Sequence, residues 1–225
     1  MDAMSDTGIP ALPVHGRSPD RADVRARLLE AAEEIFGRRG FYNASIAEIT
    51  RRAGIAQGSF YLHFPSKEEI FRELMRSRGE EMRDALAGVG EPGSPDWATQ
   101  REAFRRFFEW IVEHPWFYRV TRQAEFVDPA LREGWYREFA KRYVGLLEKG
   151  METGLIPKAD PEVLGWAVMG AADFTAMRWV VWEAEGRSMP PDKIDAFMEI
   201  VARLLGTCPD PGVEGEDFPR ARTRL

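Results

Sequence analysis

The sequence contains a single cysteine, Cys208, and only three histidines, His15, His63 and His114. One cysteine cannot form an intrachain disulfide, and these dispersed residues lack the spacing of a zinc site. We therefore predict no metal and no cofactor. No apolar run reaches about 18 residues, and the N-terminal segment lacks a charged stretch followed by an apolar one. We expect neither a membrane span nor a secretory signal, and we expect the protein to be cytoplasmic.

Patterns that carry catalysis are also missing from the sequence. There is no glycine-rich phosphate loop and no G-x-S-x-G turn, and no pair of carboxylates stands out by its spacing. We predict that the protein is not an enzyme. A helical enzyme stays open as an alternative that a screen for turnover would reveal.

Charge is distributed unevenly along the chain, whose formal net charge is −6. The segment from Arg21 to Lys67 has eight basic and five acidic side chains, a balance of +3, so the remainder carries −9. A basic segment on an acidic body is compatible with nucleic-acid binding, because the local field matters more than the total charge.

Proline and glycine are concentrated at the two ends of the chain, in residues 1–20 and 208–225. These stretches predict a flexible arm and a disordered tail. Between them, apolar residues recur at helical spacing and no segment alternates as a strand would. We predict an all-α fold, with a three-helix domain over residues 21–82 and a helical bundle over residues 83–207. The bundle helices are expected at about 95–113, 115–125, 128–153, 160–186 and 191–206.

Two short helices joined by a tight turn are predicted within residues 45–64. Ser45 and Glu48 form a capping box at the start of one helix, and Gly54 permits the turn after it. A third helix is expected from about Gln57 to Phe64, and Pro65 ends it. This arrangement, packed on a first helix over residues 21–39, is a helix-turn-helix. A fourth, long helix is expected to reach about residue 87.

The third helix has the residue types that reading DNA requires. Phe60 and Phe64 are four residues apart and are assigned to the core, which leaves the other faces free. Gln57 and Ser59 at its start can hydrogen-bond base edges, and Gly58 leaves room for a close approach to the duplex. Nearby hydroxyl and ammonium groups suit phosphate contacts.

The run from Arg25 to Leu74 resembles the DNA-binding region of the TetR family, the tetracycline-repressor-like regulators. The resemblance is carried by LLEAAEEIF, GF, SIAEITRRAGI, GSFYLHF and SKEEIF at the family's spacing, over about fifty residues. Ala56 departs from the serine that is commoner before the third helix. The resemblance implies that the DNA-facing residues are Ser45, Gln57, Gly58, Ser59, Tyr61, Leu62, His63 and Lys67.

Large aromatic residues are abundant in the predicted bundle, and most of them are expected to form its core. Loosely packed aromatic helices can also enclose an apolar ligand pocket, and the resemblance implies that this domain binds a small effector, hydrophobic or acyl-CoA-like, that releases DNA. Polar residues after Pro115, including Arg122 and Gln123, are candidates to orient it. The predicted ligand contacts are Trp110, Phe117, Tyr118, Arg122, Phe139, Tyr143, Trp166, Asp173 and Met177.

The last two predicted helices, at about 160–186 and 191–206, carry small and apolar residues that would let helices approach closely. The resemblance implies that they form a homodimer interface, and hence that two recognition helices meet a palindromic operator on double-stranded DNA. Repression is the direction that the resemblance favours. A ligand-binding helical dimer without specific DNA binding is the alternative.

Overall fold

The computed structural model describes residues 20–87, 97–182 and 188–207. Within these ranges the chain forms helices and contains no strand, which confirms the all-α prediction. The predicted arm, apart from Asp20, and the predicted tail lie outside the described residues. The helices are α1 (Arg21–Arg39), α2 (Ile46–Ala53), α3 (Gln57–Phe60), α4 (Lys67–Ala87), α5 (Trp97–Glu113), α6 (Pro115–Val127), α7 (Pro129–Glu152), α8 (Pro161–Ala176) and α9 (Pro191–Leu205).

A cluster of phenylalanines closes the first three helices onto the start of α4. Phe36, Phe41 and Phe71 meet with ring centroids 5.2–5.6 Å apart, at the tilted and edge-on angles that aromatic pairs favour. Phe60 and Phe64 are also buried, as their spacing predicted. We call α1–α3 with the first half of α4 the head, and α5–α9 the body.

The helix-turn-helix forms where the sequence predicted it. The Ser45 hydroxyl accepts a hydrogen bond from the Glu48 amide at 3.2 Å, and the Glu48 carboxylate accepts one from the Ser45 amide at 3.1 Å. This reciprocal capping box starts α2. Gly54 ends the helix at a φ of 68°, a left-handed conformation that glycine adopts without a Cβ clash.

The third helix is shorter than predicted, because its regular part ends at Phe60 and the chain continues to Phe64 in turns. Ala56 provides no side-chain cap at its start. Pro65 disfavours the α conformation for the residue before it. Backbone carbonyls at this end accept hydrogen bonds from side chains of α1. Arg21 donates to Leu62 O at 3.0 Å, and Arg25 donates to His63 O at 3.2 Å.

The body follows the predicted helices closely, with one difference at α8. The predicted helix to about residue 186 is α-helical only to Ala176, and then continues as a π-helical turn over Met177–Val181. Trp182 N bonds Met177 O across five residues at 3.0 Å, which is the spacing of a π-turn. Residues 183–187 of the prediction lie outside the described ranges. Among the described residues, no helix combines the length and the hydrophobicity of a membrane-spanning segment.

The head and the body meet along α1 and α6, where Gly37 makes a close approach possible. A Cβ atom at Gly37 would lie 2.7 Å from the Cβ of Trp116 and 3.0 Å from its Cα. The backbones of the two helices therefore approach as near as the absence of a side chain allows. We call this contact the head–body seam.

Replacing Gly37 with alanine is expected to separate the seam. The added methyl group must displace α6 backbone, so we expect a loss of roughly 1–3 kcal/mol in the free energy of unfolding, measured by urea denaturation. Gly134→Ala is the matched control, because Gly134 is also helical and a Cβ there would meet no heavy atom of the described residues within 4 Å. That control should be neutral or stabilise by up to about 1 kcal/mol. Equal effects of the two substitutions would contradict a tight seam.

Candidate DNA-binding surface and ligand cavity

The third helix and the turn after it present a surface that the core does not use. Leu62 is 69% exposed and Tyr61 is 55% exposed, while Phe60 between this surface and the core is fully buried. Gln57 and Gly58 are exposed, and a Cβ at Gly58 would meet no atom of the part of the chain that the structure describes within 4 Å. The motif thus places four of the predicted DNA-facing residues in the open, together with the half-buried Ser59.

Arg25 and Glu73 hold this surface in place from behind. Arg25 bonds the carbonyl of His63, lies over the Phe64 ring at 4.4 Å, and forms an ion pair with Glu73 of α4 at 2.8 Å. Glu73 also binds Arg76 at 2.8 Å. The Arg76 hydrogen bond, with help from Arg25 and against the effect of burial, lowers the pKa of Glu73 to about 2.

Ser45 and Lys67 have internal partners as well as predicted DNA contacts. The Ser45 hydroxyl belongs to the capping box of α2. The Lys67 ammonium donates to Phe41 O at 2.7 Å and to Ala44 O at 2.9 Å, and lies 4.5 Å from the Phe41 ring centroid. An ammonium has three N–H groups, so one stays available for a phosphate.

His63 lies at the edge of the same surface and is partly buried. Its Nδ1 atom is buried and has no hydrogen-bond partner among the described residues. Burial, and then the charges of Arg21 and Arg25, lower the pKa of His63 below its ordinary value. The imidazole is therefore neutral near pH 7, where it contributes polarity and no charge.

A cavity of about 450 Å³, within the size range of small-molecule sites, lies between the second half of α4 and the body. Its wall comes from α4, α5, α6, α7 and α8, and most of it is aromatic or aliphatic. The wall contains the following predicted ligand contacts: Trp110, Phe117, Tyr118, Phe139, Tyr143 and Asp173.

Three polar side chains at one side of the cavity are hydrogen-bonded to one another. The Tyr118 hydroxyl donates to Asp173 Oδ1 at 2.6 Å and accepts from Arg122 at 2.9 Å, and Arg122 also binds Asp173 Oδ2 at 3.0 Å. Burial, and then the hydrogen bond to Asp173, raise the pKa of Tyr118. Arg122 does not line the cavity itself, and instead it neutralises the carboxylate that does.

Three residues proposed for ligand contact or orientation lie away from the cavity. Trp166 is 39% exposed and does not line the cavity, although its ring centroid lies 6.4 Å from that of the wall residue Tyr136. Met177 starts the π-turn and packs against the core. Gln123 faces the head. Its amide nitrogen donates to Phe36 O at 3.0 Å and its oxygen accepts from the Phe41 amide at 2.6 Å. The sequence placed these residues on helices but could not assign them to a face.

Sequence reasoning also missed several wall residues on α5 and α7. Phe104 and Phe107 line the cavity, as does Trp135, although each was expected only to fill the core. Phe104 and Phe107 share the α5 stripe of Trp110 at intervals of three residues, so the stripe was visible in the sequence. The sequence did not show that this stripe faces a cavity. Among the described residues no group of acidic, histidine or cysteine side chains could hold a metal ion.

Replacing Glu73 with glutamine tests the support behind the DNA-facing surface. A carboxylate with a lowered pKa stabilises the fold above its unfolded pKa, near 4.5, and this stability is lost as the pH falls toward 2. We expect Glu73→Gln to lower the free energy of unfolding near pH 7 by on the order of 2 kcal/mol and to weaken its dependence on pH below about 4.5. Urea denaturation over a pH series measures both.

Glu199→Gln is the control for that series, because the one ion pair that Glu199 makes with a described residue is a longer surface pair with Arg203 at 3.6 Å. It should keep the acid dependence of the unsubstituted protein. An unchanged acid dependence in Glu73→Gln would mean that the Arg25–Glu73–Arg76 pairing contributes nothing.

Known proteins resemble the chain in its head and over most of its length. A family model described as bacterial regulatory proteins, tetR family, matches residues 28–74. The HTH-type transcriptional regulator TtgR of Pseudomonas putida is 38% identical over 190 residues, which cover 79% of this chain and 86% of that protein. The A-factor receptor protein of Streptomyces griseus is 26% identical over 213 residues, covering 88% of this chain and 68% of the receptor.

Some matches are shorter: the regulator YdgC of Bacillus subtilis is 48% identical over 65 residues, which span 33% of that relative. Among solved structures, a TetR-like transcriptional regulator from Rhodococcus sp. RHA1 is 27% identical with a TM-score of 0.67, covering 83% of this chain and 97% of its own. The regulator FadR of Bacillus subtilis, solved in complex with stearoyl-CoA, has the same fold at 18% identity, with a TM-score of 0.67; the match covers 81% of this chain and 98% of that one.

One assignment follows from the helix-turn-helix in the head, the cavity beside the helical body and the similarity to these relatives. The chain belongs to the TetR family, and it is a ligand-responsive, DNA-binding transcriptional regulator.

Proposed function

We propose that the protein is a homodimeric cytoplasmic repressor that binds a palindromic operator and is released by a small apolar effector. The observation that carries this proposal is the double role of α6. Phe117, Tyr118 and Thr121 on one side of α6 line the cavity, while Trp116 and Gln123 on its other side contact α1 of the head. A ligand that moves α6 must therefore move the DNA-binding surface.

The proposed DNA contacts follow the geometry of the head. Gln57 and Ser59 start α3 and meet base edges, and Gly58 allows the backbone near the duplex. Tyr61 donates its hydroxyl to a phosphate, and Leu62 packs on a sugar or a thymine methyl. The remaining residues of the predicted set, Ser45, His63 and Lys67, flank this group and contact the sugar-phosphate backbone.

An exposed apolar stripe supports dimerisation through α8 and α9. Val163, Trp166 and Phe174 of α8 are exposed, and so are Ile200 and Leu204 of α9. Large contiguous apolar surfaces on soluble proteins mark interaction sites. A two-fold axis through this stripe brings two recognition segments to one DNA face, where half-sites recur about every 34 Å.

The effector class follows from the charges of the cavity wall. Asp173 is neutralised by Arg122, and the other ionised wall residue, Arg142, makes no ion pair with a described residue. Arg142 lies six residues beyond the wall residue Tyr136 on α7, about 9 Å along the helix. An apolar body with a neutral or anionic end fits this wall, and a cation does not. The stearoyl-CoA bound by FadR is a ligand of this kind.

Effector and operator then oppose each other through one equilibrium. When the cavity is empty, the head–body seam keeps the head in the position that operator binding requires. A ligand that favours another position of α6 weakens DNA binding by a coupling of roughly 1–3 kcal/mol.

Selection of random duplex DNA on the purified protein tests DNA binding. We expect one palindrome to be enriched and Tyr61→Ala to weaken its binding about ten-fold, because the substitution removes an exposed contact group from the surface. Leu155→Ala is the control, since Leu155 is an apolar side chain of closely similar exposure, 56% against 55%, that lies outside the head. Enrichment of no sequence would leave a helical ligand-binding dimer. Equal losses in both variants would remove Tyr61 from the interface.

Matched amphiphiles test the effector class. We expect stearate or stearoyl-CoA to release the selected duplex and stearylamine, which has the same chain with a cationic end, to release little. Arg142→Gln should weaken release by the anionic compounds, while Lys141→Gln, at an exposed neighbour outside the wall, should not. Stronger release by stearylamine would contradict the charge argument.

A further inference from the structure

The wall of the ligand cavity is exposed at one end and buried at the other. Arg142 and Gly145, in the second half of α7, are exposed, and no other wall residue that the structure describes is. Trp110, Ile111 and Phe117, where α5 ends and α6 begins, are each no more than 5% exposed. We call the first two residues the mouth of the cavity and the last three its closed end.

The cavity is elongated, because α5 and α7 line it side by side. Near the mouth, the Tyr143 ring of α7 lies 6.2 Å from the Phe104 ring of α5. At the closed end, the Trp135 ring of α7 lies 6.4 Å from the Phe117 ring. Trp135 and Gly145 are ten residues apart, so the mouth lies about 15 Å from the closed end along the axis of α7.

An amphiphile has one favourable orientation in a cavity of this shape. A charged group is costly to bury, whereas an alkyl chain gains free energy from burial. Arg142 supplies a cation at the exposed mouth, and the closed end offers aromatic and aliphatic side chains. An anionic end placed deeper would approach Asp173, whose carboxylate Arg122 already neutralises. The anionic end therefore stays at the mouth and the tail points to the closed end.

The closed end lies directly behind the head–body seam. The Trp110 ring meets the Phe117 ring edge-on, with centroids 5.5 Å apart. Phe117 follows Trp116 on α6, and Trp116 packs against Gly37 of the head. Because packed interiors transmit displacement, a tail that presses on Phe117 shifts α6 at the seam. A tail that stops short occupies the cavity without reaching this contact.

We propose that the effector is an elongated anionic amphiphile that enters tail first at Arg142 and Gly145, and that it releases DNA only when its tail reaches the closed end. Shorter amphiphiles with the same anionic end then bind without releasing DNA, and they antagonise longer ones. This inference rests on the proposed function, because it starts from the effector class proposed there.

The length requirement is tested with the full-length protein, its selected duplex and labelled n-alkanoates from octanoate to stearate. These acids share one carboxylate and differ only in the tail. At equal occupancy of the protein, measured by equilibrium dialysis, we expect stearate to release the duplex and the shorter acids that bind to leave it bound. The shorter acids should also raise the concentration of stearate that release requires.

Two failures of the alkanoate series are distinguishable. Release that follows occupancy alone, whatever the length of the tail, would overturn the length requirement and leave the proposed effector class intact. Stearate that does not bind, or binds without releasing the duplex, would reject the effector class itself and this inference with it.

The orientation is tested without DNA, by quenching of tryptophan fluorescence with brominated acids. Bromine quenches an indole that it contacts, so 16-bromohexadecanoate reports where the tail ends and 2-bromohexadecanoate reports where the carboxylate lies. The part of the quenching that Trp110→Phe removes should be larger for the 16-bromo acid. Equal parts, or a larger part for the 2-bromo acid, would overturn the tail-first orientation. Trp135→Phe gives the same comparison if Trp110→Phe does not fold.

The mouth is tested by two tryptophan substitutions on α7. Gly145 and Gly134 are both exposed, and a Cβ at either would meet no heavy atom of the described residues within 4 Å, but Gly145 lines the cavity and Gly134 does not. We expect Gly145→Trp to raise the stearate concentration for half-maximal release roughly ten-fold, because the added ring obstructs the mouth. Gly134→Trp should keep the unsubstituted value. Equal values for the two variants would overturn the placement of the mouth.

Discussion

The packing of α6 between the head and the cavity is the constraint on which the rest of the structure depends. Trp116 fits against a helix of the head that has no side chain at Gly37, and Tyr118 on the other side closes the polar end of the cavity. The thirteen-residue helix α6 thus contributes residues both to the ligand cavity and to the contact with the head. Because packed interiors transmit displacement rather than absorb it, a change on one side of α6 has to be accommodated on the other.

The recognition segment depends on its surroundings for its shape. Four residues of regular helix are far too few to be stable alone, since helix nucleation is unfavourable. Its shape comes from Phe60 and Phe64 in the core and from two arginines of α1 that bond its last carbonyls. The position of the DNA-facing surface is therefore set by α1, which is also the helix that α6 contacts.

Local features of the fold could be predicted from the sequence, because their causes lie within a few residues. The Ser45–Glu48 capping box and the left-handed Gly54 are of this kind, and both are present. Features that need knowledge of which helix faces which could not be predicted. Gln123 was assigned to a ligand, although it bonds the end of α1, and Trp166 was assigned to the cavity, although it lies on the exposed stripe. Helical periodicity places a residue on a face without saying what that face meets.

Filling the cavity from within tests the central claim most directly. Ala103 lines the cavity from α5, outside the head, whereas Ala98 on the same helix is exposed and outside the wall. The account predicts that Ala103→Phe, folded and dimeric, binds its selected duplex more weakly than Ala98→Phe does. Equal affinity of the two variants, with the phenylalanine of Ala103→Phe shown to occupy the cavity, would contradict the coupling of the cavity to the head.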